Sequence, residues 1–387
     1  MKVVYLDNNA TTAIAPEVLD AMMPFLRDLW GNPSSMHTFG GQVRKYIDRA
    51  RQQVAHFISA EEDEIIFTGC GTESDNTAIM AALTADPHRR HIVTTRVEHP
   101  AVLSLCQRLE KEGHQLTWLS VDAQGMLDLE EVRRSVSECT GVVSVMYANN
   151  ETGVIFPVEE VGKIARAAGC SFHVDAVQAA GKIPLNMRRS TIDYLALSGH
   201  KLHAPKGVGV LYVRKGTKFN PLIVGGHQEM GRRGGTENVA SIVGCGAACE
   251  LAGRRMEEEN VRVKKLRDRL ERALLTKTPD ARLNGHPEMR LPNTSNISFE
   301  YVEGESILLR INELGICASS GSACTSGSLE PSHVLRAMGV PYTAAHGSVR
   351  FSLSRYTTEE EIDFVIECLP PIIRDLRAIS PFGRKIA

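Results

Sequence analysis

Short apolar runs alternate with amphipathic segments between residues 60 and 215. Runs such as EIIFTG, HIVTT and SFHVDAV predict strands, and segments such as TESDNTAIMAAL and PAVLSLCQRLEKEG have the apolar spacing of helices. Strands that alternate with helices predict an α/β fold in which a mostly parallel sheet carries helices on both faces. In such sheets, ligands bind at the loops beyond the carboxyl ends of the strands.

The pattern changes in the last third of the chain. A charged helix is predicted near residues 254–275, and it is followed by the strand NTSNISFEYV, the helix GESILLRINELG and the segment GSVRFSLSR. Thr357 and Glu360 have the spacing of a capping box, which predicts the start of the final helix. This mixed pattern predicts a second, smaller α+β domain, as a length of 387 residues also indicates.

Composition and charge narrow the possible functions. The net charge of -2 argues against a nucleic-acid partner, and no apolar run approaches the ~18 residues that span a bilayer. The start, MKVVYLDNNATT, has no secretory pattern. The nine cysteines include no C-x-x-C, and Cys245 and Cys249 lie in a segment typical of a buried helix. We therefore expect a cytoplasmic protein with reduced thiols, no metal site and no membrane partner.

Charged side chains lie at two predicted strand ends. Lys201 and Lys206 lie in SGHKLHAPKGVG, where a solvated surface loop is the plainer interpretation, but a lysine in this position can also form a Schiff base. Asp175 ends the strand of FHVDAVQAAG; it is either a helix cap or the partner of a protonated pyridine nitrogen. A lysine and an aspartate together are the pair that a pyridoxal phosphate site requires.

Two glycine-rich segments are candidate phosphate contacts. TGCGTESDN joins a strand to a helix, and its glycines and Thr72 suit an anion at the helix N-terminus, although many strand–helix turns look like this. The distant segment GGHQEMGRRGGTEN is too rich in glycine for a core and too basic for a plain linker. It is a candidate for a second phosphate contact.

Three further residues are candidates for chemistry. His99 follows a strand and precedes Pro100; such a histidine is more often structural, unless it lies over a cofactor. Arg350, with Arg355 as competitor, lies in a strand pattern where it needs an anion, either a structural carboxylate or that of a substrate. Cys324, in ASSGSACTSGS, is surrounded by serine and glycine, whereas structural cysteines favour apolar surroundings. This composition indicates a thiol that must be reached or must move.

Taken together, these segments resemble the pyridoxal-phosphate-dependent cysteine desulfurases, class V of the aminotransferase fold. The resemblance spans residue 5 to about 380 and is closest to the nitrogen-fixation (NifS) branch, with the IscS branch next. It implies fold-type I, with a seven-stranded-type sheet in a large domain of residues 15–258 and a small domain of residues 1–14 and 259–387. The matching segments are YLDNNATT, GNPSSMH, GTESDN, EHPAV, ANNETG, HVDAVQ, SGHKLHAPKGVG, GGHQEMGRRGGTEN, SSGSACTSGSLEPSHVLRAMG and VRFSLSRYTTEEEID.

The resemblance also implies a role for each candidate residue. Lys201 would hold pyridoxal 5'-phosphate as a Schiff base, and Cys324 would be the nucleophile that attacks the substrate sulfur. Asp175 would pair with the pyridinium, Gln178 would bond the phenolic oxygen, and His99 would stack on the ring and move protons. The phosphate would be bound by Gly71, Thr72, Ser198 and His200, and also by Thr236 of the partner subunit. Asn150 and Arg350 would bind the substrate carboxylate, and Asn150 would also contact the cofactor.

The implied enzyme is a homodimer that converts L-cysteine to L-alanine and leaves a persulfide on Cys324. The sulfur would pass to an acceptor or iron–sulfur scaffold protein, for cluster assembly in general or for nitrogenase maturation. A selenocysteine lyase and an aminotransferase with the same cofactor are alternatives, although an aminotransferase would not need Cys324. A thiol-rich scaffold that binds metal is the non-enzymatic alternative.

Overall fold

The computed structural model of the protein describes residues 3–320 and 331–381, so Cys324 lies outside the described residues. Its strands are β1 (Val4–Tyr5), β2 (Ile65–Thr68), β3 (His91–Thr95), β4 (Gln115–Leu119), β5 (Thr140–Met146), β6 (Ser171–Asp175), β7 (Tyr194–Ser198), β8 (Gly209–Val213), β9 (Ala281–Asn284), β10 (Thr294–Phe299), β11 (Ile316–Cys317) and β12 (Ser348–Ser352). Its α-helices are α1 (Pro16–Arg27), α2 (Thr38–Gly41), α3 (Arg44–Phe57), α4 (Gly71–Ala85), α5 (Pro100–Lys111), α6 (Leu129–Ser135), α7 (Val158–Ala167), α8 (Val239–Lys277), α9 (Gly304–Asn312), α10 (His333–Ala337), α11 (Tyr342–His346) and α12 (Glu359–Ile379).

The central sheet has seven strands in the order β2-β8-β7-β6-β5-β3-β4. All neighbouring strands are parallel except at β8, which runs antiparallel to both β2 and β7. The inner strands are short apolar runs, and all seven residues of β5 are buried, as expected when helices cover both faces of a parallel sheet. This confirms the predicted α/β fold with its mostly parallel sheet.

The remaining strands form two smaller sheets. Strands β9, β10 and β12 make an antiparallel sheet in the order β12-β10-β9, and β1 pairs in parallel with β11. The beginning of the chain is therefore joined to its last third. These strands, with α9 and α12, form the predicted smaller α+β part.

Helix α8 corrects one prediction of the pattern. The charged helix predicted near residues 254–275 and the alanine- and glycine-rich segment before it are a single helix of 39 residues. No proline interrupts the segment, so the backbone hydrogen bonds continue from the apolar half into the charged half. Cys245 and Cys249 are buried in the apolar half, and the described residues contain no group of three or more histidine, cysteine or acidic side chains that could hold a metal ion.

The capping box of the last helix lies one residue later than predicted. The Thr358 hydroxyl accepts a hydrogen bond from Glu361 N at 3.3 Å, and the Glu361 carboxylate accepts one from Thr358 N at 3.1 Å. The hydroxyl of Thr357 instead accepts a bond from Ser354 N at 3.0 Å in the preceding turn. The capping box predicted for Thr357 and Glu360 is therefore wrong by one position.

Two large clusters of buried apolar side chains share α8. One lies against one face of the central sheet and includes Cys249, and the other lies against the three-stranded sheet and includes Leu270. The clusters support a large and a small domain, while the predicted boundary between residues 258 and 259, inside α8, stays a prediction. Among the residues the structure describes, no helix is long and apolar enough to cross a membrane.

Candidate active site

A cavity of about 420 Å³ opens where several strands of the central sheet reach their carboxyl ends. It brings together ten of the twelve predicted site residues, which are Gly71, Thr72, His99, Asn150, Asp175, Gln178, Ser198, His200, Lys201 and Arg350. Seven lining residues had no predicted role, namely Asn9, Ala10, Cys70, Asp75, Met146, Ala148 and Val177. The cavity lies at the edge where an α/β sheet binds its ligands.

Two predicted residues are not part of this arrangement. Thr236 lines a different cavity, next to Gly69 and Arg233, so its predicted contact across a subunit interface stays a prediction. Cys324 lies outside the described residues.

The N-terminus of α4 forms one end of the cavity. Gly71 lies so close to the neighbouring loops that a Cβ atom there would come within 2.9 Å of Val177 Cγ2 and 3.2 Å of Ser198 Cβ. The Glu73 carboxylate accepts a hydrogen bond from Gly69 N at 2.8 Å, which fixes the glycine turn before the helix. A turn held this way presents the first N–H groups of a helix, beside the Ser198 hydroxyl, to an anion such as a phosphate.

Asp175 ends β6 inside the cavity and is buried. Its Oδ1 accepts a hydrogen bond from Val177 N at 2.9 Å. Burial raises the pKa of Asp175 to about 6, against the opposing effects of that hydrogen bond and of Lys201. A cation placed against this carboxyl would favour its charged form, because an opposite charge lowers a carboxyl pKa.

A second carboxyl lies close to Asp175. Asp75 Oδ1 is 3.4 Å from Nε2 of His173, and His173 Nδ1 is 2.9 Å from the Ser144 hydroxyl, all in the buried interior. Burial, reinforced by the charge of Asp175, raises the pKa of Asp75 well above its ordinary value, and burial lowers the pKa of His173 to about 3. Burial thus favours the uncharged forms of Asp75 and His173, whereas the hydrogen bond from Val177 N and the charge of Lys201 favour the charged form of Asp175.

Lys201 follows β7 and reaches across the cavity to the beginning of the chain. Its Nζ donates hydrogen bonds to the carbonyl oxygens of Asn9 and Ala10, each at 2.6 Å. Gln178 Nε2 donates to the same Asn9 oxygen at 3.0 Å. The contacts of Asn9 and Ala10 with Lys201 were missed because they use main-chain oxygens, which side-chain identity does not reveal.

Two histidines in the cavity are held neutral. His99 Nδ1 accepts a hydrogen bond from Ala101 N at 3.1 Å, so its proton resides on Nε2. Burial, with added repulsion from Lys201 and His333, lowers the pKa of His99 to about 4. Burial and the neighbouring Lys201 likewise lower the pKa of His200 to about 4, and Nδ1 of His200 lies 3.1 Å from the Thr11 hydroxyl.

Arg350 reaches the cavity from β12 and is almost fully buried. Its Nη1 donates to the Asn150 carbonyl oxygen at 3.0 Å, and its Nη2 donates to Asp7 Oδ1 at 2.7 Å. Asp7 is thus the structural carboxylate that was one of the two anions expected for Arg350. The contact of Arg350 with a substrate carboxylate stays a prediction. The competing Arg355 is paired at 3.2 Å with Glu259, away from this cavity.

The residues around the cavity fit pyridoxal phosphate. Gln178 Oε1 is buried and has no hydrogen-bond partner among the described residues, and buried polar atoms of this kind are normally satisfied. Asp175 would pair with a pyridinium nitrogen, Lys201 would hold the aldehyde carbon, and the α4 N-terminus would hold the phosphate. The cavity volume also falls in the usual range for small-molecule sites.

Comparisons with known proteins agree with this site. The family model described as "Aminotransferase class-V" matches residues 4–365. A cysteine desulfurase of Trichormus azollae is 63% identical over 382 residues, covering 99% of this chain and 96% of that relative. The cysteine desulfurase NifS of Azotobacter vinelandii is 60% identical over 380 residues, covering 98% of this chain and 94% of that relative. A solved structure titled "NIFS-LIKE PROTEIN" superposes with a TM-score of 0.91 at 39% identity, covering 97% of this chain and 100% of that one.

The fold and the site thus define a fold-type I enzyme that depends on pyridoxal phosphate. The chain belongs to the class-V aminotransferase family, since the family model and relatives above 60% identity cover nearly all of it. This confirms the predicted family, cofactor and enzymatic character, and it excludes the metal-binding scaffold as the description of the whole chain.

Proposed function

We propose that the protein is a cysteine desulfurase, which converts L-cysteine to L-alanine and transfers the sulfur to Cys324. The observation that carries this proposal is the single cavity that combines Lys201, Asp175, His99 and Arg350. The relatives at 60–63% identity, which bear the name cysteine desulfurase, support the same reaction.

Each side chain of the cavity has a separate proposed role in the reaction. When bound, pyridoxal phosphate supplies an electron sink that stabilises negative charge at the substrate Cα. Asp175 keeps that sink effective by pairing with the ring nitrogen. Arg350 and Asn150 would hold the substrate carboxylate, and Lys201, the group that would hold the cofactor, would take the Cα proton. His99, neutral and protonated at Nε2, can donate a hydrogen bond to the reacting groups.

Sulfur transfer needs a nucleophile from this chain. The substrate Cβ–S bond breaks while an S–S bond forms to Cys324, so the thiol and L-cysteine together give L-alanine and a Cys324 persulfide. Only the thiolate attacks, and a free cysteine has a pKa of about 8.5, so the reaction requires deprotonation of Cys324 at the site. An acceptor protein then takes the terminal sulfur.

The protein is proposed to act as a homodimer. Large apolar side chains, including Leu26, Trp30, Met36 and Val224, are exposed on the single chain, and their burial under a second subunit would be favourable. The loop that contains Thr236 also carries exposed apolar residues, Val224 and Met230. A second subunit over this surface would bring Thr236 to its neighbour's phosphate.

The proposed cellular role is sulfur supply for iron–sulfur cluster assembly in the cytoplasm. The 60% identity to the NifS of Azotobacter vinelandii favours nitrogenase maturation as the particular pathway. The cysteines that the structure describes are all free thiols, which suits a reducing compartment. The acceptor would be an iron–sulfur scaffold protein.

The test follows alanine and sulfide together, with L-cysteine and a reductant, in the wild type and in Cys324→Ala. Equal release of both products by the wild type is expected, with loss of both in the variant while its cofactor absorbance remains. Cys70→Ala is the matched control, because Cys70 lines the cavity and has no assigned role. Release of both products by Cys324→Ala at the wild-type rate would exclude the persulfide route. Selenocysteine turnover that survives in that variant would favour the lyase alternative.

A further inference from the structure

We propose that Asp7 is a positioning residue that sets how tightly Arg350 binds the α-carboxylate of the substrate. This inference rests on the proposed function, because it assumes that Arg350 is the carboxylate ligand. Asp7 does not line the cavity that Arg350 reaches, but its Oδ1 lies 2.7 Å from Nη2 of Arg350. Asp7 therefore acts through Arg350 and not on the reacting atoms.

The backbone fixes Asp7 firmly against β12. Ser352 N donates to the Leu6 carbonyl at 2.8 Å, and Asn8 N donates to the Ser352 carbonyl at 3.1 Å, so the residues on both sides of Asp7 are bonded to the strand that carries Arg350. Nη1 of Arg350 is held separately by the Asn150 carbonyl at 3.0 Å. Two of the terminal N–H groups are thus committed to protein oxygens, which fixes the plane of the guanidinium before any substrate enters.

The charge of Asp7 has an effect distinct from its geometry. Arg350 is 3% exposed, so its charge is only weakly screened by water, and Asp7 is the carboxylate hydrogen-bonded to it. When the substrate carboxylate arrives, it meets a guanidinium whose charge is already partly neutralised. Asp7 consequently weakens carboxylate binding, while its hydrogen bond keeps Arg350 in place.

A weakened carboxylate contact suits this reaction. L-Cysteine and L-alanine carry the same α-carboxylate, so any extra attraction at Arg350 would strengthen substrate and product binding alike. Uniform binding of this kind lowers KM without accelerating the chemical step. Asp7 would keep the product from being held as tightly as an uncompensated buried arginine would hold it.

The test separates charge from geometry with two substitutions at one position. Asp7→Asn retains an oxygen that can accept the bond from Nη2 but removes the charge, and we expect it to lower both the KM for L-cysteine and the Kd for L-alanine by about tenfold, with kcat unchanged or reduced. Asp7→Ala removes the acceptor as well, and we expect it to raise KM. Asp7→Ser, whose hydroxyl can accept a bond without charge, is the second neutral variant should Asp7→Asn fold poorly.

The measurements include one that does not depend on turnover. L-Alanine binding to the cofactor-loaded protein is followed by isothermal titration calorimetry, and thermal unfolding of each variant monitors the fold. Weaker alanine binding in Asp7→Asn, Asp7→Ser and Asp7→Ala alike would overturn the inference, because a purely structural Asp7 predicts that result. Unchanged binding in Asp7→Asn would overturn it too.

Arg350→Gln distinguishes a failure of this inference from a failure of the proposed site. If Arg350→Gln leaves the KM for L-cysteine unchanged, the carboxylate site in the proposed function is wrong, and the role of Asp7 is overturned with it. If Arg350→Gln raises KM while Asp7→Asn does not lower it, the site stands and only the inference about Asp7 is overturned.

Discussion

Glu98 illustrates how one buried side chain can make stability depend on pH. Its Oε1 accepts hydrogen bonds from the Thr95 hydroxyl at 2.7 Å and from Met146 N at 3.0 Å, while Oε2 has no partner within the part of the chain that the structure describes. Burial raises the pKa of Glu98 from 4.5 to about 8, because two hydrogen bonds do not replace the lost hydration. The residue precedes His99 in the chain but does not line the cavity.

Glu98→Gln is expected to become more stable than the wild type as pH rises. Between pH 4.5 and 8 the unfolded wild-type chain loses the Glu98 proton and the folded chain keeps it, so the free energy of unfolding falls with rising pH. A pKa difference of one unit corresponds to about 1.4 kcal/mol, and glutamine, whose oxygen can accept both bonds, lacks this dependence. Urea unfolding at several pH values measures the difference in free energy of unfolding between Glu98→Gln and the wild type. This difference should be near its smallest at pH 4.5 and largest above pH 8. Parallel stability curves would contradict the assignment.

The two neighbouring aspartates are expected to respond differently to the same substitution. Asp175→Asn removes the charge proposed to pair with the ring nitrogen, and we expect kcat to fall by about 10²–10³-fold while bound cofactor remains visible by absorbance. Asp75→Asn replaces a carboxyl whose charged form burial disfavours, so a loss of at most about tenfold is expected. Steady-state kinetics with both variants, checked for cofactor content, makes the comparison. Equal losses of kcat in the two variants would contradict the proposal that the charge of Asp175 pairs with the ring nitrogen.

At the scale of elements, helix α8 depends on glycine where it crosses α3. A Cβ atom at Gly246 would lie 2.7 Å from Ala50 Cα and 2.8 Å from Ala50 Cβ, whereas one at Gly253 would have its nearest neighbour, Phe57 Cδ2, at 3.6 Å. The first contact involves backbone and cannot relax without separating the helices. The second is an ordinary van der Waals contact.

Gly246→Ala and Gly253→Ala should therefore shift stability in opposite directions. We expect the first to destabilise the protein by about 1–3 kcal/mol through overpacking. The second should stabilise it by up to ~1 kcal/mol, since alanine has the higher helix propensity. Chemical unfolding of the two variants and the wild type measures both changes. A loss of stability in Gly253→Ala would contradict the open packing of Gly253 against Phe57.

The pattern of apolar residues predicted the helices and strands better than the positions at which they begin and end. The alternation around β5 and β6 was sufficient for a parallel sheet, because side chains buried on both faces leave a continuous apolar run. The helix predicted near residues 254–275 begins earlier, at Val239, because the composition changes along α8 without any backbone reason for the helix to stop. The site residues were predicted mainly from the resemblance, whereas the carbonyls of Asn9 and Ala10 carry no signal in the sequence.

At the scale of the whole molecule, α8 connects the two apolar clusters as one continuous element. Cys249 belongs to the cluster against the central sheet and Leu270 to the cluster against the three-stranded sheet. A helix has no hinge between these points unless its hydrogen bonds break. We therefore expect both parts of the protein to unfold in a single cooperative transition.

Leu270→Ala tests this coupling. Leu270 is fully buried, so its truncation should cost about 2–5 kcal/mol, and the loss should lower one transition in differential scanning calorimetry without splitting it. Leu309→Ala, at an exposed position of α9, is the matched control and should change stability by less than about 0.5 kcal/mol. Two resolved transitions in Leu270→Ala would indicate that the domains unfold separately.

The contact between Asp7 and Arg350 has a consequence for the order in which a growing polypeptide acquires its parts. The two residues are 343 positions apart, so at translation rates of about 5–20 residues per second Asp7 waits roughly 20–70 s for Arg350 to be made. During that interval Lys201, Asp175 and the helix that faces the phosphate already exist on the ribosome. A nascent chain therefore contains the residues proposed to bind the cofactor before it contains Arg350, which is proposed to bind the carboxylate of the substrate.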